Sequence, residues 1–353
     1  MGTPAWIDTL KPTPSTLMRL SILVVSRTAR LLKRFLDSLN QACSLDPLQT
    51  EILCSWNGST EEERCITNTS RYDFHIAQRV PYHFASNING LIRKSNADLL
   101  MIANDDLILD PQCVNAGVKT LESRSEIGLV GAVLRTESGM LCHAGINFDV
   151  KGSAYHILDQ LVPADQPTVV VTGPVAAVTG ALQWIRRADA LNQPLNEQYR
   201  VCGEDVELCL DVQQHLGKQV WLCAEAHAIH EAESTREHDP DQAANSEDLL
   251  RLRSRYHNYL AQASTEQLRR LLKQQQSESL QLREMVQQGN AQLNELIEQR
   301  HAQLDERQAG LEMELQKLRH DARAIEDLQE ERLRLKALLE RSPAAFVRSE
   351  GQQ

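Results

Sequence analysis

Four groups of side chains in this 353-residue chain have the types and spacing that chemistry requires. The first is Asn104-Asp105-Asp106, delivered by the apolar run "DLLMIA" and followed by a second apolar stretch ending at Pro111. Adjacent carboxylates repel each other unless something positive stands near them. Oxygen ligands of this kind suit Mg2+ or Mn2+, which accept carboxylate together with substrate phosphate oxygens. An Asx turn or a helix N-cap would use the same residues structurally. The second group is Gly203-Glu204-Asp205 at a predicted helix start. An acid there is a cap, or, on a pocket rim, a general base for a hydroxyl nucleophile.

The third group is "HAIHEAESTR", with His227, His230, Glu231 and Arg236. A histidine just after a strand, leading into an acid-serine-threonine-arginine loop, suits a metal and phosphate site; a lone histidine is more often structural. The fourth is "ESGMLCHAGINF", where His143 follows a tight turn and nothing local separates a functional histidine from an incidental one.

The elements that must position these groups read as α/β as far as residue 240. "LSILVVS", "QTEILCSW", "YDFHIAQRV" and "DLLMIAN" are short apolar or β-branched runs suited to strands. Between them "ARLLKRFLDSLNQA" has apolar residues at Leu32, Phe35, Leu36 and Leu39, one face of a helix, and "NINGLIRKSNA" is also helical. Such alternation predicts a parallel sheet with right-handed crossovers and ligands at the C-terminal strand ends. Those ends are Ser26-Arg27, Trp56-Asn57 and Asn104-Asp105-Asp106, so polar residues gather on one rim. Further on, a strand, a turn at Ser138-Gly139 and another strand are expected. "GEDVELCLDVQQHLG" is an amphipathic helix closed by Gly217, and "KQVWLCAEAHAIH" a final strand.

Composition changes near residue 240, where Gln, Glu, Arg and Leu take over. Ile297, Leu304, Leu311, Leu318 and Ile325 recur every seven residues, one seam of a coiled coil. The second seam is mostly polar: Leu293, Leu328 and Leu335 fit it, while Arg300, Arg307, Glu314 and Asp321 do not. A homo-oligomerising coiled coil is expected, the alternative being a charged helix without a partner. The expected divisions are an extension over 1–19, a domain over 20–240, a helical region over 241–341 and a tail over 342–353.

The formal net charge of -11 excludes a general nucleic-acid binder, which needs a basic face. Eight cysteines without a C-x-x-C pair read as small buried hydrophobes in a reducing compartment. No leader-like or membrane-spanning stretch is present, so a cytoplasmic location is expected, peripheral to a membrane where an acceptor is lipid-linked.

Taken in order, Trp56-Asn57-Gly58-Ser59-Thr60, Asn104-Asp105-Asp106, His143-Ala144-Gly145, Thr179-Gly180-Ala181, Glu204-Asp205-Val206-Glu207-Leu208-Cys209-Leu210-Asp211 and His230 with Glu233-Ser234-Thr235-Arg236 resemble the family-2 glycosyltransferases of the GT-A fold, in a rhamnosyltransferase-like branch. The resemblance covers about residues 20 to 236. It implies a Rossmann-like mixed sheet flanked by helices, here followed by a long helical tail. It also implies an inverting transferase that uses a nucleoside-diphosphate sugar and Mn2+ or Mg2+. The expected acceptor is a glycan or lipid-linked glycan in cell-surface polysaccharide biosynthesis. Residue by residue, it implies Asp106 and His230 as metal ligands and Asp205 as the base. Ser26, Trp56, Asn57, Asn104, Asp105, Gly180, Glu204 and Arg236 are implied substrate contacts.

Several positions depart from the family, among them Asn104 for the first acid of the metal motif, an exchange also seen in the family, and the missing spacer before Thr235 in Glu233-Ser234-Thr235-Arg236. Trp56 stands where an aspartate contacts the nucleotide base; an indole can stack on a base but cannot accept its N–H. Asp211 replaces the last arginine of the helix motif, and Ser26-Arg27-Thr28 replaces a Thr-Tyr-Asn stretch. The competing expectations are a catalytically inactive transferase-like domain on a coiled-coil scaffold and a nucleotidyltransferase. The latter wants a glycine-rich phosphate loop with a lysine, and "VVSRTARLL" has neither.

Overall fold

The computed structural model describes residues 18–165, 170–231 and 242–341, the side chains of 242–244 and 339–341 excepted. Strands β1 (Leu20–Ser26) and β2 (Thr50–Trp56) flank helix α1 (Ala29–Ala42), and a short α2 (Thr60–Glu63) precedes β3 (Asp73–Arg79). Helix α3 (Phe84–Lys94), β4 (Leu99–Asn104), β5 (Leu107–Leu109), α4 (Cys113–Ser123) and β6 (Ile127–Arg135) follow. Then come β7 (Leu141–His143), β8 (Ile146–Phe148), β9 (Ala154–His156), β10 (Gly173–Pro174), β11 (Leu182–Arg186) and α5 (Arg187–Asn192). Helix α6 (Glu204–His215), β12 (Gln219–His230), α7 (Gln242–Gln262) and α8 (Thr265–Arg341) complete the order.

The main sheet runs β10-β12-β6-β11-β4-β1-β2-β3. β1 pairs in parallel with β2 and β4, β2 with β3, and β6 with β12. β11 lies between β4 and β6 and is antiparallel to both. The wholly parallel sheet expected from strand–helix alternation therefore holds only for β3-β2-β1-β4. Beyond β4 the sheet is mixed, as the family resemblance implied. β11 follows the 175–181 segment with no helix between β10 and β11. β1, β2, β4, β6 and β12 still run the same way, so their C-terminal ends share one rim.

Side chains alternate across β1. Leu20, Ile22 and Val24 join a core with Leu32, Phe35 and Leu36 of α1 and Val114 and Val118 of α4. Leu23 and Val25 face the opposite core, with Ile88 and Leu91 of α3 and Val206 and Leu210 of α6. This period of two with apolar residues on both faces is what a strand covered by helices on both sides requires.

The boundary drawn near residue 240 falls inside the folded unit. Packing carries the first compact unit as far as Gln281. Leu252, Tyr256 and Tyr259 of α7 are buried in the second core, and the Tyr256 ring stacks on Phe148 at 3.7 Å. Gln275 of α8 donates to the Phe148 carbonyl at 3.0 Å. Glu278 accepts from Asn147 Nδ2 at 2.6 Å and from the Tyr155 hydroxyl at 2.8 Å. The composition change marked a change of helix type, not the end of the core, because an amphipathic helix rich in Gln and Arg can still bury one stripe. The second unit, from Leu282, carries the rest of α8, and Ile297, Leu304, Leu311, Leu318 and Ile325 are each 43–65% exposed there.

All eight cysteines are free, five of them buried, while Cys65 is exposed. Among the described residues no helix is long and apolar enough to cross a membrane.

Candidate active site

The rim of the sheet opens on a cleft of about 190 Å³ lined by Ser26, Arg27, Tyr82, Phe84 and Asn104-Asp105-Asp106, among others. β4 delivers the acids here because its apolar residues lock it between β1 and β11. The Asn104 backbone N–H donates to the Ala181 carbonyl at 2.9 Å. The chain then reverses into β5, which pairs antiparallel with β12 so that Leu107 faces His230. The Glu231 N–H donates to the Asp106 carbonyl at 3.1 Å. This return places His230 Nε2 at 3.3 Å from Asp106 Oδ2.

Asp106 Oδ1 is buried and has no hydrogen-bond partner. A carboxylate oxygen in that condition is costly unless something electropositive meets it. Among the described residues no group of three or more His, Cys, Asp or Glu side chains is arranged to hold a metal. Two protein donors with one orphaned oxygen nevertheless fit a divalent cation that takes its other ligands from substrate phosphates and water.

Asp105 faces the same cleft. Burial pushes its pKa up to about 7; a hydrogen bond from Ser26 works downward, and the neighbouring Asp106 charge adds to the rise. The Ser26 hydroxyl donates to Asp105 Oδ2 at 2.7 Å. Ser26 has little exposed surface, and its hydroxyl holds Asp105 in place at the cleft wall that Ser26 also lines.

Asp205 arrives from the other side of the sheet. It lies in the first turn of α6, and its two oxygens accept from the Gly180 N–H at 2.6 Å and the Val206 N–H at 2.8 Å. Gly180 sits where a side chain would crowd its neighbours. A Cβ there would stand 3.0 Å from Asp205 Cβ and 3.3 Å from the Phe84 ring. Phe84 also lines the cleft, so it connects Asp205 to the pocket that holds Asp105 and Asp106.

Two further expectations change. Trp56 is 2% exposed and belongs to the core. A Cβ at Gly58 would overlap its ring at 2.5 Å, and its Nε1 donates to the Ser59 carbonyl at 3.4 Å. The ring of Trp56 is thus packed in the core and is not part of the cleft lining. Glu204 is likewise buried, and it is not part of the cleft lining. Asn57 donates from Nδ2 to the Val80 carbonyl at 2.5 Å, while its Oδ1 is buried without a partner. Arg236, with Glu233, Ser234 and Thr235, lies outside the described residues.

The structure decides the surroundings of His143, which its sequence position left open, and adds Asp248, which sequence patterns did not single out. His143 is buried, and burial, with His156 and His230 nearby, holds its imidazole well below the usual range. Its Nε2 accepts from the Thr179 N–H at 3.3 Å, and its Nδ1 lies 2.9 Å from His156 Nδ1. His143 and Asp205 thus tie down consecutive residues, Thr179 and Gly180. The only local signal was its place after a glycine turn. Asp248 on α7 accepts from the backbone N–H groups of Arg200, Val201 and Cys202 at 2.8, 2.7 and 3.3 Å, fastening the segment that leads into Asp205. No sequence signal marks it within a charged helix. The unusual Asp211 pairs with Arg255 of α7 at 2.6 Å, so the departure from the family's arginine is matched by a basic residue on the added helix.

No family model matches the chain. Among curated proteins, the O-antigen biosynthesis protein RfbC of Myxococcus xanthus is 25% identical over 207 residues, 54% of this chain and 15% of that protein. The uncharacterized protein y4gI of Sinorhizobium fredii is 25% identical over 201 residues, 54% of this chain and 22% of that one. The chain thus matches less than a quarter of the length of either relative. Among solved structures, GalNAc-T7 with UDP, GalNAc and Mn2+ is 13% identical with a TM-score of 0.48, over 61% of this chain and 44% of that one. The mannosyltransferase PcManGT from Pyrobaculum calidifontis with GDP-Man and Mn2+ is 12% identical with a TM-score of 0.45, over 75% and 83% of the two chains. Both structural likenesses are distant.

Proposed function

We propose that the chain is an inverting, metal-dependent glycosyltransferase moving a sugar from a nucleoside-diphosphate sugar to a hydroxyl of a glycan or lipid-linked glycan, in cell-surface polysaccharide biosynthesis. The observation that carries this reading is the pairing of Asp106 and His230 at the cleft mouth, with the unpartnered Asp106 Oδ1. The name of the Myxococcus relative is in keeping with it.

Asp106 and His230 would hold Mn2+ or Mg2+, which when bound supplies Lewis-acid stabilisation of charge on the leaving diphosphate. Asp105, fixed by Ser26 and flanked by Arg27, takes the donor's ribose or sugar side. Asp205 takes the proton of the acceptor hydroxyl. Its two backbone hydrogen bonds keep it aimed. A single base opposite the leaving group serves one in-line displacement, which inverts the anomeric carbon. The helical tail pairs with a second copy through its exposed apolar stripe. An acceptor linked to lipid would place the protein at the cytoplasmic membrane face.

A second reading, a catalytically inactive transferase-like domain on a helical scaffold, is favoured by the burial of Trp56 where the family has a base-contacting aspartate. A panel of nucleotide sugars with Mn2+ separates the two. Transfer by the wild-type protein, reduced by about a hundredfold or more in Asp205→Asn with donor-induced thermal stabilisation retained, supports the enzyme. No turnover, or turnover unchanged by Asp205→Asn, supports the inactive scaffold.

A further inference from the structure

The second seam of the helical tail is charged in an order that bears on how two copies can pair. Arg300, Arg307, Glu314 and Asp321 occupy four consecutive positions of the same heptad register, with Leu293 before them and Leu328 after. The four lie beside an apolar stripe that is exposed along the whole run. In a parallel pair each residue of a seam faces its own copy. Two layers of arginine against arginine, then two of acid against acid, would sit in the interface, and like charges in a desolvated seam are strongly disfavoured.

Reversing one helix changes every one of these encounters. About a centre between Arg307 and Glu314, Arg300 of one copy comes within one layer of Asp321 of the other, and Arg307 within one layer of Glu314. Leu293 meets the region of Leu328 at each end. In an antiparallel coiled coil one seam packs against the other seam of its partner. Each charge is then covered by an aliphatic residue of the opposite stripe and has an opposite charge one layer away. Arg and acid side chains have apolar stems suited to that placement.

We infer that the tail pairs with a second copy of this chain as an antiparallel coiled coil centred between Arg307 and Glu314. The inference rests on the tail-pairing part of the proposed function and is independent of the transfer chemistry. The antiparallel order puts the two copies of Leu282, where the second unit begins, at opposite ends of the paired segment, so the seam charges select orientation as well as partner.

The test uses the full chain. Spin labels are carried by unnatural residues at Glu295 or at Ala309, both opposite the stripe, leaving the eight native cysteines untouched. In the antiparallel pair the two copies of position 309 lie within roughly 10 Å along the axis, and those of position 295 roughly 45 Å apart, from 1.5 Å per residue. Equal separations at the two positions would overturn the orientation alone. A monomeric mass across all concentrations would overturn the pairing itself, while leaving the transferase reading intact.

A second measurement uses charge reversal. Arg300→Glu with Arg307→Glu converts opposite neighbours into like ones only in the antiparallel pair, so self-association weakens at least tenfold. Mixing with a chain carrying Glu314→Arg and Asp321→Arg restores it. Unchanged self-association on reversal, with helicity retained, is the result expected of a parallel pair and counts against the inference.

Discussion

His230 Nε2 lies 3.3 Å from Asp106 Oδ2 because β5 turns back along β12 and sets Leu107 opposite His230. The contact joins the end of the fourth strand to the end of the last one. Asp106→Asn keeps the shape and removes the charge. Mn2+-dependent thermal stabilisation by a nucleotide sugar is expected to disappear in this variant, and in His230→Ala. The unliganded melting temperature should stay within a few degrees of wild type, since a partly exposed pair contributes only about 1 kcal/mol. Stabilisation that persists in both variants would remove these residues from the cation site.

Asp248 should matter more to folding than to binding. The side chain is 1% exposed and satisfies three consecutive backbone N–H groups before α6. Asp248→Ala removes the acceptor of three part-buried N–H groups, which is expected to cost about 1–2 kcal/mol in urea unfolding. Turnover should fall as well, because the same segment sets the start of the helix carrying Asp205. Asp248→Asn, which keeps one acceptor oxygen, should recover part of both losses. Equal losses in the two variants would mean that charge, not geometry, is what Asp248 supplies.

The pH dependence of stability should carry a signature of His143. Its imidazole is held well below the usual range, first by burial. The unfolded chain therefore binds this proton more readily than the folded one. Stability is full above the unfolded value of about 6.5 and is lost as pH falls toward the folded value. His143→Gln can still accept the Thr179 N–H but does not titrate. The difference in urea midpoint between pH 7.5 and pH 5.5 should be smaller in the variant than in wild type. An identical difference would show that His143 is not buried as a neutral ring.

Two truncations separate the folded unit from the tail. A chain ending at Pro240 loses the side chains of Leu252, Tyr256 and Tyr259 that complete the second core. It also leaves Asp211 without Arg255. Such a chain should aggregate or melt well below wild type, each lost buried aromatic being worth roughly 3 kcal/mol or more. A chain ending at Gln281 retains all these contacts and should fold. Its mass in sedimentation should be that of a monomer. A well-folded 1–240 fragment would show that α7 is dispensable to the core.

Much of the molecule was readable from short-range pattern. β1, β2 and β4 showed as apolar runs because both faces of those strands are covered. The helix at Glu204 showed as an amphipathic repeat bounded by Gly203 and Gly217. The residues with chemistry were readable as types: Asp106, Asp205 and His230 stand at element ends, where a rim could use them. The placement of Trp56 was not readable, because a tryptophan at a strand end looks the same in sequence whether its ring faces a cleft or, as here, packs against Gly58.

What the sequence alone determined was therefore periodicity: strands of period two, helices of period 3.6, and the seven-residue stripe of the tail. These depend on the local geometry of the backbone and on which side chains avoid water. The tertiary structure alone decided the reversal of β11, the return of β5 that joins Asp106 to His230, and the docking of α7 that brings Asp248 and Arg255 to the helix of Asp205. Those depend on contacts between residues far apart in the chain. No local period records which distant surface a strand or helix will meet.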